Sequence, residues 1–196
     1  MIHNATNAVK QLFYINVIVF IFTLFYPGIL NYLAMYNMKS DSFAPYQLIT
    51  HQFLHGGFLH IIFNMLVLLS FAPSVESTYG YKKFLIYYLL CGIAGGVLHS
   101  LMNPMPIVGA SGAIWGIMVM FTIMYPNEKM YIFFIPYGIR AKYIISILFV
   151  YEVISGLFLS PDGTAHFGHV GGALMGGLLY LYDKFTRPRL KYRRYH

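Results

Sequence analysis

The charge-free runs constrain this chain more than any other feature. No Asp, Glu, Lys or Arg lies between Lys10 and Lys39, and none between Asp41 and Glu76. Each gap exceeds the roughly 20 apolar residues that a membrane-crossing helix needs. Only 10% of the 196 residues are charged and 58% are hydrophobic, whereas soluble domains carry about 25% charged residues. The mean hydropathy of +0.62 points the same way. This balance excludes a disordered chain, a collagen-like chain and an ordinary cytosolic enzyme. Six membrane helices would use roughly 120 residues and leave short loops. Any chemistry must then sit among the helices. The expected fold class is all-α, a polytopic membrane protein of six transmembrane helices, with residues 1–196 forming one domain.

Breakers between the apolar runs set the spans. A first helix is predicted from Gln11 to Tyr26, ended by Pro27-Gly28. It has no small-x-small cleavage site after it, so it reads as an anchor. A second runs from about Phe58 to Ala72, extendable to Thr78. A third covers about Phe84 to Leu101 and stops at Asn103-Pro104-Met105-Pro106. The fourth is about Ser111 to Tyr125, the fifth Ala141 to Leu159, and the sixth Ala165 to Phe185, after a turn at Ser160-Pro161-Asp162-Gly163.

Basic residues orient the bundle. One set of ends and loops holds Lys10, Lys82, Lys83, Lys129, Arg140, Lys142, Lys184, Arg187, Arg189, Lys191, Arg193 and Arg194; the other holds Lys39 alone. Cytoplasmic loops carry the excess of Lys and Arg, so both termini are expected in the cytoplasm, the membrane being read as a bacterial one. The C-terminal cluster fits an anchor on anionic lipid. No nucleic-acid-binding motif accompanies the +7 net charge, so nucleic acid is not expected as a partner. Cys91 is the single cysteine and forms no internal disulfide.

With that orientation the second, fourth and sixth helices begin near the outer face, and unusual residues cluster at those three starts. The second carries His60 and Asn64, the fourth begins Gly109-Ala110-Ser111-Gly112, and the sixth carries His166 and His169. Four to six residues of helix descend roughly 6–9 Å, so Asn64, Ser111 and His169 share one depth. A serine hydroxyl needs a base to become a nucleophile, and histidine suits that role near neutral pH. Gly109 and Gly112 let the backbone turn tightly at Ser111. The unpaired N–H groups of a helix start can hold an oxyanion. His60 and Asn64, at i and i+4, project from one face and can add donors. Trp115 lies one turn below Ser111, where its ring can support the imidazole. The nearest outward-facing acid is Asp162, in the turn, so a Ser111–His169 dyad is expected. Gly112 with Gly116, and Gly168, Gly172 and Gly176, form small-residue rows that press membrane helices together. Their expected use is to bring the sixth helix onto the fourth.

The segments His60-Ile-Ile-Phe-Asn64, Gly109-Ala-Ser111-Gly112 and His169-Val-Gly-Gly172-Ala-Leu-Met-Gly176, in this order, resemble the rhomboid intramembrane serine proteases. The resemblance covers nearly the whole chain. It implies the compact six-helix bacterial form, Ser111 as nucleophile, His169 as general base, and His60 with Asn64 around the oxyanion. It implies membrane-anchored, transmembrane protein substrates cut near the membrane surface, entering past the fifth helix and the loop before it, and no metal or organic cofactor. Glu76 and Gly80 match the family pattern. Tyr46-Gln47 stands where the family often has Trp-Arg, and Trp115 where it often has Tyr.

Other polar residues draw weaker readings. His166 reads as a neighbour lining the cavity mouth, and His99 as a satisfied polar group. His51 and His55 at i, i+4 could pair on a metal, but no acid or thiolate is near, so structural roles are expected. Glu152, near the middle of the fifth helix, is an intramembrane carboxylate that should be paired or functional. It is expected to be protonated or hydrogen-bonded within the bundle and to set how easily that helix moves. The competing readings are an inactive relative that binds membrane helices and a histidine-based metal transporter.

Overall fold

The computed structural model describes residues 5–131, 137–158 and 163–186. Among the described residues the chain is all-α apart from one two-residue strand pair. In order the helices are α1 (Asn7–Phe25), α2 (Leu30–Leu33), α3 (Gln47–Thr50), α4 (Phe58–Tyr79), α5 (Tyr81–Met102), α6 (Ser111–Met124), α7 (Ala141–Phe158) and α8 (His166–Thr186). Strands β1 (Lys129–Met130) and β2 (Ile139–Arg140) pair antiparallel between α6 and α7. The basic residues expected in the C-terminal tail, Arg187 to Arg194, and most of the turn at 160–163 lie outside the described residues.

Helices α1, α4, α5 and α7 are long and apolar enough to cross a membrane. Their outer faces expose large apolar side chains, among them Phe25, Phe63, Ile86 and Ile147. So many exposed apolar groups need an apolar solvent rather than water. The protein is therefore a polytopic membrane protein with an all-α fold. Helix α8 is equally long but carries Asp183 and Lys184 near its end.

Helix α6 is the short one. Its 14 residues rise roughly 21 Å, while the 22 residues of α4 and of α5 rise roughly 33 Å. Ser111, at the first position of α6, is therefore sunk between longer neighbours. Pro104 and Pro106 keep the preceding segment out of helix. That segment is pinned instead by two backbone hydrogen bonds between Met35 and Ile107, and by the Gly109 N–H donating to the His51 carbonyl at 2.9 Å.

The centre of the bundle is α5, α6 and α8, which share the most extensive interfaces; α1 packs on α4, and α7 lies against α8 and α6. Backbone meets backbone at the centre. A Cβ on Gly172 would overlap the carbonyl of Gly112, and one on Gly176 the carbonyl of Gly116. A Cβ on Gly95 would lie 2.5 Å from the Gly168 carbonyl oxygen. The small-residue rows read from the sequence thus join α8 to α6 as expected, and Gly95 brings α5 into the same contact.

Two buried carboxylates fasten the ends opposite Ser111. Glu76, late in α4, accepts from the backbone N–H groups of Ala8 at 3.0 Å and Val9 at 2.9 Å and from the Thr6 hydroxyl. It supplies acceptors to the unpaired donors at the start of α1, which accounts for α1 beginning four residues earlier than Gln11. Asp183 of α8 pairs with Lys83 and accepts from the Tyr87 hydroxyl at 2.6 Å, both on α5.

Candidate active site

The functional geometry starts with the backbone before α6. Gly109 has φ +131°, a region closed to ordinary side chains, and a Cβ there would meet His60 Nε2 at 2.8 Å and lie 3.6 Å from Ser111 Oγ. Glycine is required at this position both for conformation and for space. The first ladder bond of α6 is Ile114 N–H to Ala110 O at 3.0 Å. The amides of Ser111, Gly112 and Ala113 precede that bond, so donors cluster beside the hydroxyl.

The serine and the imidazole meet. His169 Nε2 lies 2.8 Å from Ser111 Oγ. Trp115 stacks beneath the imidazole, with ring centroids 5.9 Å apart and planes inclined by 29°. The pair lines a cavity of about 1190 Å³ together with His60, Asn64 and His166. His60, Asn64, Ser111, Trp115, His166 and His169 thus line one cavity, while Gly109, Gly112, Gly172 and Gly176 lie behind its wall. Asn64 uses its amide N–H on the His60 carbonyl, 2.9 Å away within α4. The Gly56 N–H reaches His60 Nδ1 at 3.4 Å, and the His60 ring stands edge-on to His55, with centroids 5.0 Å apart.

One prediction fails. The sequence reading finds no acid at the depth of His169, yet Glu152 of α7 reaches it. Glu152 Oε1 lies 3.0 Å from His169 Nδ1, and Oε2 lies 2.6 Å from His166 Nδ1. The contact to His169 is oblique: it is a close charge contact that misses the direction of a straight hydrogen bond, whereas the contact to His166 is a hydrogen bond. The reason is geometric. Counted from the last described residue of α7, Glu152 is only six residues from Phe158, roughly 9 Å down. His169 is three residues into α8, roughly 4.5 Å down, and a glutamate side chain closes the difference. "Middle of the helix" describes its place along the chain, not its distance from the site. The expectation that Glu152 is hydrogen-bonded within the bundle agrees with this contact.

The first loop is organised by Gln47, which the sequence marks only as part of the Tyr46-Gln47 departure from Trp-Arg. Its buried amide accepts from the N–H groups of Tyr36 (3.3 Å) and Ala44 (3.2 Å) and donates to the carbonyls of Tyr32 (3.0 Å) and Ser42 (3.1 Å). A single side chain thereby ties four points of the loop, and Tyr46 beside it is half exposed. His51 and His55 do not share a helix face: His51 opens a 3-10 turn ending at Phe53, and His55 lies beyond it. Burial lowers the His51 pKa to about 4, against the opposing hydrogen bond to the Gln47 carbonyl, and lowers that of His55 to about 3. Both are therefore neutral at physiological pH. His99 Nε2 contacts the Met105 carbonyl at 3.0 Å, but its buried Nδ1 has no hydrogen-bond partner, so the expectation of a satisfied polar residue holds for one ring nitrogen only.

A rhomboid domain matches residues 42–184 of the chain. The chain belongs to the rhomboid family. Among its relatives, rhomboid protease GluP of Bacillus subtilis is 35% identical over 150 residues, covering 74% of this chain and 28% of that protein. Rhomboid-like protease 3 of Toxoplasma gondii is 33% identical over 151 residues, covering 76% and 56%. Rhomboid protein 1, mitochondrial, of Saccharomyces cerevisiae is 29% identical over 201 residues, covering 96% and 56%. The chain thus spans between 28 and 56% of the length of these relatives. Within this rhomboid domain the matched region begins after α2 and holds the Gln47 loop, Ser111, Glu152 and His169 alike.

Proposed function

We propose that this protein is an intramembrane serine endopeptidase that hydrolyses peptide bonds in membrane-anchored protein substrates, near the outer face of the membrane. The observation that carries the reading is the 2.8 Å approach of His169 Nε2 to Ser111 Oγ inside a cavity walled by helices. Similarity to named rhomboid proteases supports it. In this reading six helices, α1, α4, α5, α6, α7 and α8, span the membrane in one domain. Both termini lie on the cytoplasmic side, where the basic residues concentrate.

The chemistry runs in two halves. As Ser111 Oγ attacks the scissile carbonyl carbon, His169 Nε2 takes the hydroxyl proton. The carbonyl oxygen becomes an oxyanion, held by the Ser111 backbone N–H with His60 and Asn64. Collapse breaks the C–N bond as His169 hands the proton to the leaving amine, and an acyl-enzyme on Ser111 remains. Water then attacks the ester carbonyl and gives one proton to His169. The bond to Oγ breaks, that proton returns to Ser111, and the new carboxylic acid leaves, losing its own proton to solvent. Trp115 holds the imidazole plane through both halves by stacking.

The test is incubation of the detergent-purified protein with a membrane-anchored reporter, wild type beside Ser111→Ala. Wild type cleaves it and Ser111→Ala falls to background with an unchanged melting temperature. A fluorophosphonate probe labels Ser111 in a His169-dependent manner. Binding of the reporter without cleavage or labelling would instead assign an inactive relative that holds membrane helices.

A further inference from the structure

Resting on the hydrolytic reading, we propose that Glu152 is a positioning residue of this site: its carboxylate, anchored by His166, fixes His169 in the tautomer whose Nε2 lone pair faces Ser111. Neither the family match nor the resemblance read from the sequence assigns this residue a role.

Glu152 presents Oε1 to His169 Nδ1 at 3.0 Å and Oε2 to His166 Nδ1 at 2.6 Å. An ionised carboxylate only accepts, so the hydrogen-bonded His166 Nδ1 carries a hydrogen, and the negative charge facing His169 Nδ1 favours a hydrogen there too. For His169 the Nδ1–H tautomer leaves Nε2 as the acceptor, and Nε2 is the atom 2.8 Å from Ser111 Oγ. The opposite tautomer would aim an N–H at the hydroxyl oxygen and could not take its proton.

The surroundings leave this task to Glu152. It is buried, and so are His166 and Ser155 beside it. The titratable groups at the shared cavity are His60 on α4, His99 on α5, and His166 and His169 on α8; among the described lining residues, Glu152 is the single carboxylate. The 2.6 Å bond to His166 holds the carboxylate against two degrees of rotational freedom, and the Tyr151 ring stands edge-on to His166 at 6.1 Å. Distance to His169 is already that of a hydrogen bond; only direction is lacking. A charge that close, on a buried carboxylate, biases the tautomer without a straight bond. Because Glu152 rides on α7 and His169 on α8, displacement of α7 withdraws the bias while the Ser111 contact stays in place.

The experiment uses the full chain in detergent with its histidines labelled by nitrogen-15, His169 being assigned by the signals lost in His169→Asn. Wild-type His169 is expected as the Nδ1–H tautomer. In Glu152→Gln, whose amide keeps the volume, the Nε2–H form of His169 grows. There kcat on the reporter falls on the order of tenfold to hundredfold, with KM within about twofold. Glu152→Asp restores part of kcat. A wild-type His169 protonated on Nε2, or a Glu152→Gln variant with unchanged tautomer and kcat, overturns the proposal. A rise in KM alone overturns it too, since that would make Glu152 part of the entrance. If wild type neither cleaves nor labels, the hydrolytic reading fails, while the nitrogen spectrum still reports whether Glu152 sets the tautomer.

Discussion

Substitution of Gly172 by alanine tests whether helix contact controls the chemistry. A Cβ at Gly172 would lie 2.6 Å from the carbonyl carbon of Gly112 and 3.1 Å from its Cα, and closer still to the carbonyl oxygen. Every one of these is backbone, so no side chain can swing aside. Carbon atoms settle at about 3.5–4.0 Å, so α8 must retreat from α6 by about 1 Å. His169 stands one turn before Gly172, and Ser111 directly precedes Gly112, so the retreat opens the catalytic contact. Its 2.8 Å becomes about 3.8 Å, beyond hydrogen-bond reach. A misplacement of that size costs roughly a hundredfold in rate, and overpacking costs about 1–3 kcal/mol of stability. The assay is kcat/KM on the membrane-anchored reporter beside thermal unfolding in the same detergent. Gly177→Ala is the control, because its Cβ would stand 3.9 Å from Val119 Cγ1, an ordinary contact. Gly172→Ala with kcat/KM within about threefold of wild type and an unshifted melting temperature would refute the reasoning.

Two further outcomes follow from groups away from the serine. Asp183→Ala leaves Lys83 and the Tyr87 hydroxyl without the carboxylate that both contact; Lys83 is partly exposed and can turn to water, so the cost is that of a lost buried hydrogen-bond partner, about 1–3 kcal/mol, read as a drop in thermal stability. Because Asp183 sits at the end of α8 remote from Ser111, the fraction that remains folded should keep its kcat. Acid should weaken the first loop. The pKa of His51 is lowered to about 4 and that of His55 to about 3, in both cases chiefly by burial, against about 6.5 in an unfolded chain. Between those values the unfolded chain binds the extra protons, so this stability is complete above pH of about 6.5 and is lost as pH falls toward 4 and 3. Thermal melts across that range should show the slope, and a flat profile would argue against burial of the two rings.

Much of the site could be read because its members sit at helix starts. Counting residues inward from Pro- and Gly-rich breaks puts Asn64, Ser111 and His169 at one level, and the fold brings them to one cavity. The glycine spacing on α8 likewise implies the contact with α6. Glu152 escaped because it approaches from the far end of an antiparallel neighbour. Its depth follows only from where α7 ends, and Phe158 is its last described helical residue. Gln47 escaped for another reason. Its four hydrogen bonds go to backbone atoms of a non-repeating loop, and no periodicity marks such a partner. Gly95 could have been noticed in the run Gly92-Ile-Ala-Gly95-Gly96, but a glycine row does not say which helix it meets. The start of α1 was misplaced because its cap is supplied by Glu76, some seventy residues away.

The glycine seam divides the protein into parts with different tolerances for movement. Where α5, α6 and α8 touch main chain to main chain, there is no layer of compressible side chains to absorb a shift. Hydroxyl and imidazole are mounted on opposite sides of that seam, so their alignment behaves like a property of a single solid piece. Helix α7 lies outside it and meets its neighbours through larger groups such as Ile144 and Ile145. An incoming polypeptide that wedges against α7 would strain a soft joint and spare the hard one. Damage, whether from mutation or from heat, should therefore show first where α7 meets its neighbours and last in whether serine and histidine still face each other.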